Sequence, residues 1–194
     1  MLPEKVNDVL QSKSFVPEKE YQIIREFGVR PCHDIIIYLP ATNQIVIAIR
    51  KQEPAKGFLW PFGGGQKLGY NLVESAKILI EKESGIQISE IEIIGPPTDH
   101  KWSKGPNEFS VHDLAVYFTA VGEGEVKPND LHSVYFFENP EEYLAKKSEF
   151  PHWTKVGMDR AVLRFWNFQV PELTAFPLEY IDGIPYDENG NKLE

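Results

Sequence analysis

Residues 63–86, GGGQKLGYNLVESAKILIEKESGI, constrain this chain more than any other stretch. Three consecutive glycines allow close backbone approach to a neighbour or a ligand. After a polar loop, the spacing predicts one helix over 71–84, ending at Gly85 because glycine readily takes the left-handed conformation of a helix cap. Leu72, Ala76, Leu79 and Ile80 recur at helical spacing and are expected to face a core. Residues 79, 82 and 83 share one helix face, where carboxylates would meet a hard divalent cation. Here they are Leu79, Lys82 and Glu83, so one carboxylate with backbone carbonyls and water can hold a single ion weakly. Taken alone, the segment reads equally well as an amphipathic helix without a ligand.

A chain of 194 residues, 42% of them hydrophobic, suits one domain with a full core and extra segments at its ends. Its formal charge of −9 argues against nucleic-acid and anionic-membrane partners, which need a positive field. An anionic substrate must therefore meet local Lys and Arg. The single cysteine, Cys32, excludes an internal disulfide framework and a cysteine-based zinc site, and reads as a buried small hydrophobe. No apolar run approaches the ~20 residues that span a bilayer, and MLPEKVNDVL lacks the basic start and apolar stretch of a secretory signal. A cytoplasmic location is expected.

Along the chain, 3–28 reads as one or two short helices broken at Pro17, lying outside the main sheet or at a subunit contact, which leaves room for a homodimer. Residues 34–38 and 45–50 form a predicted hairpin across Pro40 and Asn43, followed by the loop EPAKGFLWPFGGG with Pro54 and Gly57. Strands are expected at 91–94, 110–121 and 134–137, with PPTDHKWSKGPNE as a polar loop between the first two. Helices are expected from Asn139–Pro140 through 145 and over 155–167. The last stretch, 169–194, reads as an extended arm docked by Phe176 and Tyr180, closing in a turn at DENGN. Strands before and after a long helix, with another helix near the end, give an α/β sandwich, a mixed sheet between helices.

The Gly-Gly turn, the helix and Gly85-Ile86 resemble a Nudix box in which Arg-Glu has become Ile78-Leu79 and Glu-Glu has become Lys82-Glu83. The resemblance implies a Nudix-type α/β/α sandwich over 30–168, with a helical extension at 1–29 and the arm at 169–194. Over roughly 30–166 the chain is most similar to the GDP-mannose mannosyl hydrolases, whose box is also incomplete. They too have Leu in the Arg-Glu pair, lack the first Glu of the Glu-Glu pair, and use the last, here Glu83, as a magnesium ligand. RKQEPAKGFLWPFGGG resembles the family's basic residue, Pro-Ala, Gly-aromatic and Gly-Gly run, which places Arg50 at the diphosphate. Asp34 matches an aspartate of the nucleotide and leaving-group region. In PNDLHSVYFF, His132 stands where the family has its general base, while Leu131 replaces a metal-binding glutamine.

The resemblance implies hydrolysis of a nucleoside-diphosphate-linked small molecule, a nucleotide sugar attacked at carbon. One Mg²⁺ would be held by Glu83 and backbone near Gly63 and Gly64, with Arg50 on the diphosphate and His132 as base. Lys82 is placed to touch phosphate. His100, Lys101, Trp102 and Lys104 combine base-stacking with phosphate-pairing chemistry, a structural tryptophan being the competing reading. His33 and His112 read as structural, and His152 as a helix cap or a cleft residue. Ile78, Gly65, Phe62 and Leu131 depart from the family pattern, and each departure weakens metal or diphosphate binding. The alternative is a catalytically impaired Nudix-fold module that binds or senses a nucleotide.

Overall fold

The computed structural model describes residues 18–51, 56–105 and 108–193. The expected helix around Val6, Val9 and Leu10, and Pro54, lie outside the described residues. The chain alternates between runs that bury both faces and runs with one apolar stripe. Helix α1 (Glu18–Phe27) leads into β1 (Val29–Leu39), in which Ile35, Ile36 and Ile37 are all buried. Such a continuous apolar run marks a strand covered on both faces. The turn at 40–43, with Asn43 left-handed, returns the chain into β2 (Gln44–Arg50).

Strands β3 (Leu59–Trp60) and β4 (Phe62–Gly65) follow, then α2 (Leu72–Ser84). Asn71 caps α2 in a reciprocal box, its side chain taking the Glu74 amide while the Glu74 carboxylate takes the Asn71 amide. Gly85 ends it at φ 72, a left-handed position that glycine occupies without strain. Ala76, Leu79 and Ile80 are buried as expected. Leu72, in the first turn, is exposed, and the buried Ser75 and Ser84 complete the stripe instead.

Beyond α2 run β5 (Gln87–Ile93), β6 (Thr98–Gly105), β7 (Glu108–Glu123) and β8 (His132–Phe137), then α3 (Pro140–Lys146), α4 (His152–Trp166), β9 (Glu179–Ile181) and β10 (Ile184–Tyr186). The expected loop at 96–108 is mostly β6. Its polar residues are held in strand form by antiparallel pairing with β7 and parallel pairing with β9. The expected arm contributes β9 and β10, which extend the sheet, and Tyr180 is fully buried.

The strand order is β10-β9-β6-β7-β1-β2-β3. β1 and β7 run parallel at its centre, and each splits its other edge between two partners. β1 takes β4 along Cys32–Ile35 and β2 along Ile37–Leu39. β7 takes β6 along its first half and β5 along its second. One face packs Ile35, Ile37, Val46 and Phe62 against Ala76 and Ile80 of α2. The other packs Ile36, Ile45 and Ile47 against Met158, Ala161 and Val162 of α4. The result is the α/β/α sandwich with a mixed sheet that the sequence predicted. Among the described residues no helix is long and apolar enough to cross a membrane.

Candidate active site

The split edge of β1 brings the glycine loop against the carboxylate helix. Gly63 lies opposite Asp34 and Gly64 opposite His33. A Cβ on Gly63 would stand 1.8 Å from the His33 carbonyl oxygen, so only glycine fits this approach. The Gly63 amide donates to Glu83 Oε2 at 3.1 Å, so Glu83 faces the loop, as the helix register predicted. Burial raises the Glu83 pKa to about 7, against the pull of the Gly63 amide, Arg50, Lys82 and Lys67. Asp34 is buried on the neighbouring strand. Burial, with repulsion from Asp113, likewise raises its pKa to about 7, while Arg50 and Arg30 oppose the rise and Glu83 adds to it.

Arg50 stands at the end of β2, in register with His132 on β8. Its guanidinium lies 5.0 Å from the Trp60 ring centroid, a cation–π contact that holds the side chain over the site. His132 was expected two residues before the strand; it is the first residue of β8, because the ladder with β2 extends as far as Arg50. Its Nδ1 is 3.1 Å from Asn129 Oδ1. That oxygen already accepts the Leu131 amide at 3.0 Å, so Nδ1 carries the proton and Nε2 keeps its lone pair. Burial, then Arg50 and Lys51, lowers the His132 pKa below its ordinary value. A neutral imidazole with a free Nε2 is the form a general base requires.

Glu83, Asp34, Arg50, His132, Gly63 and Gly64 are thus brought together; Lys82 stands apart, and Trp102 joins them only through Trp60. Lys82 is exposed on α2 and acts on Glu83 through charge. Trp102 lies beyond Trp60, their ring centroids 6.5 Å apart, and stands edge-on to the buried Trp153. His100 is buried against Tyr117, with Nε2 3.0 Å from its hydroxyl, instead of lining a loop. Lys101 pairs with Glu179, and the Lys104 side chain lies outside the described ones. His152 does not cap α4; its Nδ1 is 2.9 Å from the Tyr180 hydroxyl. Cys32 is buried, which pushes its thiol pKa up and leaves it inert. His33 packs against Phe118, and His112 meets Asp99 at 2.9 Å.

Asn129, Trp60 and the Arg30–Asp113 fork escaped the sequence reading. The fork has both bonds at 2.8 Å, and the Arg30 stem covers Gly65. No cluster of three or more metal-ligating side chains exists among the described residues. Glu83 with backbone oxygens fits one hard divalent ion and does not fit a multi-ion centre.

No family model matches the chain, and no curated protein does. Among solved structures it is similar to a mutator MutT protein from Bacillus halodurans, at 15% identity over 86% of this chain and 95% of that one, with a TM-score of 0.52. It is also similar to a MutT structure from a study of Aliivibrio salmonicida and Vibrio cholerae, at 14% identity over 71% of this chain and 100% of that one, with a TM-score of 0.52. At such identities the likeness is one of architecture, and it agrees with the split central strands and the glycine loop set against a capped helix: this chain has the Nudix fold.

Proposed function

We propose that the chain hydrolyses a nucleoside-diphosphate-linked substrate, a nucleotide sugar, by attack of water at the anomeric carbon. The observation that carries this reading is the meeting of Arg50 with a base-competent His132 in one strand register, beside the buried Asp34 and Glu83. His132 Nε2 takes a proton from water as the oxygen bonds to the sugar carbon and the carbon–oxygen bond to the diphosphate breaks. Arg50 neutralises the charge that develops on the leaving diphosphate. Asp34 sits on the nucleotide side, and Lys82 adds positive charge through its effect on Glu83. Glu83 and the Gly63 carbonyl would hold one Mg²⁺, which would supply further charge neutralisation.

The absence of a larger metal-ligating cluster among the described residues favours a second reading, a binding or sensing module with the same ligand. Turnover of a nucleotide-sugar panel with and without magnesium separates the two. Free sugar and nucleoside diphosphate are the products expected from attack at carbon. Label from ¹⁸O water found in phosphate would overturn that chemistry, and tight binding without turnover would establish the module.

A further inference from the structure

We propose that Trp60 and Trp102 form the platform on which the base of the bound nucleotide stacks, and that the C-terminal hairpin holds this platform in place. The proposal rests on the diphosphate reading above and adds the other end of the same ligand.

Three tryptophans from β3, β6 and α4 meet at one place. Trp153 is buried, tilted at 5.3 Å from Trp60 and edge-on to Trp102 at 6.1 Å, and serves as the floor. Trp60 and Trp102 are only half-buried, 6.5 Å apart at an interplanar angle of 39°. Both therefore keep part of an aromatic ring at the surface, beside the buried Trp153. The same Trp60 ring supports the Arg50 guanidinium at 5.0 Å, so the aromatic surface is continuous with the cation assigned to the diphosphate. A nucleotide has this layout, a flat π face one sugar away from its phosphates. Stacking on an aromatic ring tolerates any base, since every base has a π face.

The hairpin's part is shown by two contacts at its turn. Asp182 accepts the Ser103 amide at 2.7 Å and also the Ser103 hydroxyl, clamping β6 one residue beyond Trp102. Gly183 packs on Trp153, where an added Cβ would stand 2.9 Å from the ring. Asp182 is therefore a positioning residue, and it acts on the ligand through Trp102.

Titration of the full chain with GDP and, separately, with inorganic pyrophosphate tests the proposal. Trp102→Ala is expected to weaken GDP binding about tenfold and leave pyrophosphate unchanged, while Trp102→Phe recovers most of the loss. Asp182→Ala should repeat the pattern in smaller measure, with Asp182→Asn closer to the parent because it keeps an acceptor. If Trp102→Ala does not fold, Trp102→Leu keeps the apolar bulk without the π face and takes its place. Equal losses for both ligands, or no loss for GDP, would overturn the platform. So would a parent chain that binds GDP no tighter than pyrophosphate, although the diphosphate site would then stand. A parent that binds neither ligand defeats the diphosphate reading and the platform with it.

Discussion

Replacing Asp34 with asparagine should make the protein more stable, and most of all at neutral to alkaline pH. The carboxyl is buried beside Asp113 and Glu83, and its pKa rises from 3.8 to about 7. A shift of roughly three units, at ~1.4 kcal/mol per unit, means that the ionised group costs the folded state about 4 kcal/mol. The folded chain keeps this proton up to about pH 7, whereas the unfolded chain releases it near 3.8. The group's contribution is therefore complete below the lower value and is lost as pH rises through the upper one. Asparagine removes the ionisation but also removes a favourable partner of Arg50, so the net gain above about pH 8 should be roughly 2–4 kcal/mol. Near pH 5 the parent is already protonated when folded, and the gain should fall to less than half. Urea unfolding in EDTA at the two pH values, variant against parent at each, measures this. Burial lowers His100 and His152 to about 4 and gives the opposite slope, which is why each pH needs its own pair. Destabilisation at high pH, or an equal gain at both, would refute the assignment of Asp34 as a strained, buried carboxylate. The same variant should bind its ligand less well, the usual exchange of stability for function.

His132→Gln should lower nucleotide-sugar hydrolysis by a factor on the order of 10²–10⁴ with KM little changed, which steady-state kinetics reads directly. Glu83→Gln keeps the size of the side chain but loses its charge, so calorimetry should find weak single-site magnesium binding abolished; unchanged binding would defeat the ligand assignment. Tyr180→Phe cuts the link between Tyr117 and His152 and leaves a buried imidazole nitrogen without its hydrogen-bond partner. A loss of about 1–3 kcal/mol in denaturant unfolding is expected, and a neutral result would show that the link does not stabilise the hairpin.

The legible parts of this molecule are those decided locally. The capped helix, its end at Gly85 and the direction of Glu83 follow from a capping pair, a glycine and a period of 3.6, all within one short segment. β6 was not legible, because Thr98, Asp99, His100 and Lys101 resemble a loop until β7 and β9 supply hydrogen-bonding partners from distant sequence. Asn129 becomes visible only when the β2–β8 register places His132 opposite Arg50, and Trp60 was hidden in a run full of glycine and proline. The family resemblance pointed to Arg50, Asp34 and His132 individually. Their convergence depends on strand pairing, which no local pattern encodes.

The parallel ladder between β1 and β7 also sets the order in which this chain can be assembled. Arg30 and Asp113, joined across that ladder, are 83 residues apart, so the centre of the sheet closes only after the long stretch of chain between them has been made. The β1–β2 hairpin can form as soon as it leaves the ribosome, but it then waits with one edge of Ile35, Ile36 and Ile37 unpaired until β7 has been made. Non-local parallel pairing of this kind folds slowly, and an apolar strand edge left open in the meantime favours self-association. Recovery from denaturant is accordingly a race between closing that ladder and meeting another copy, and dilution favours the ladder.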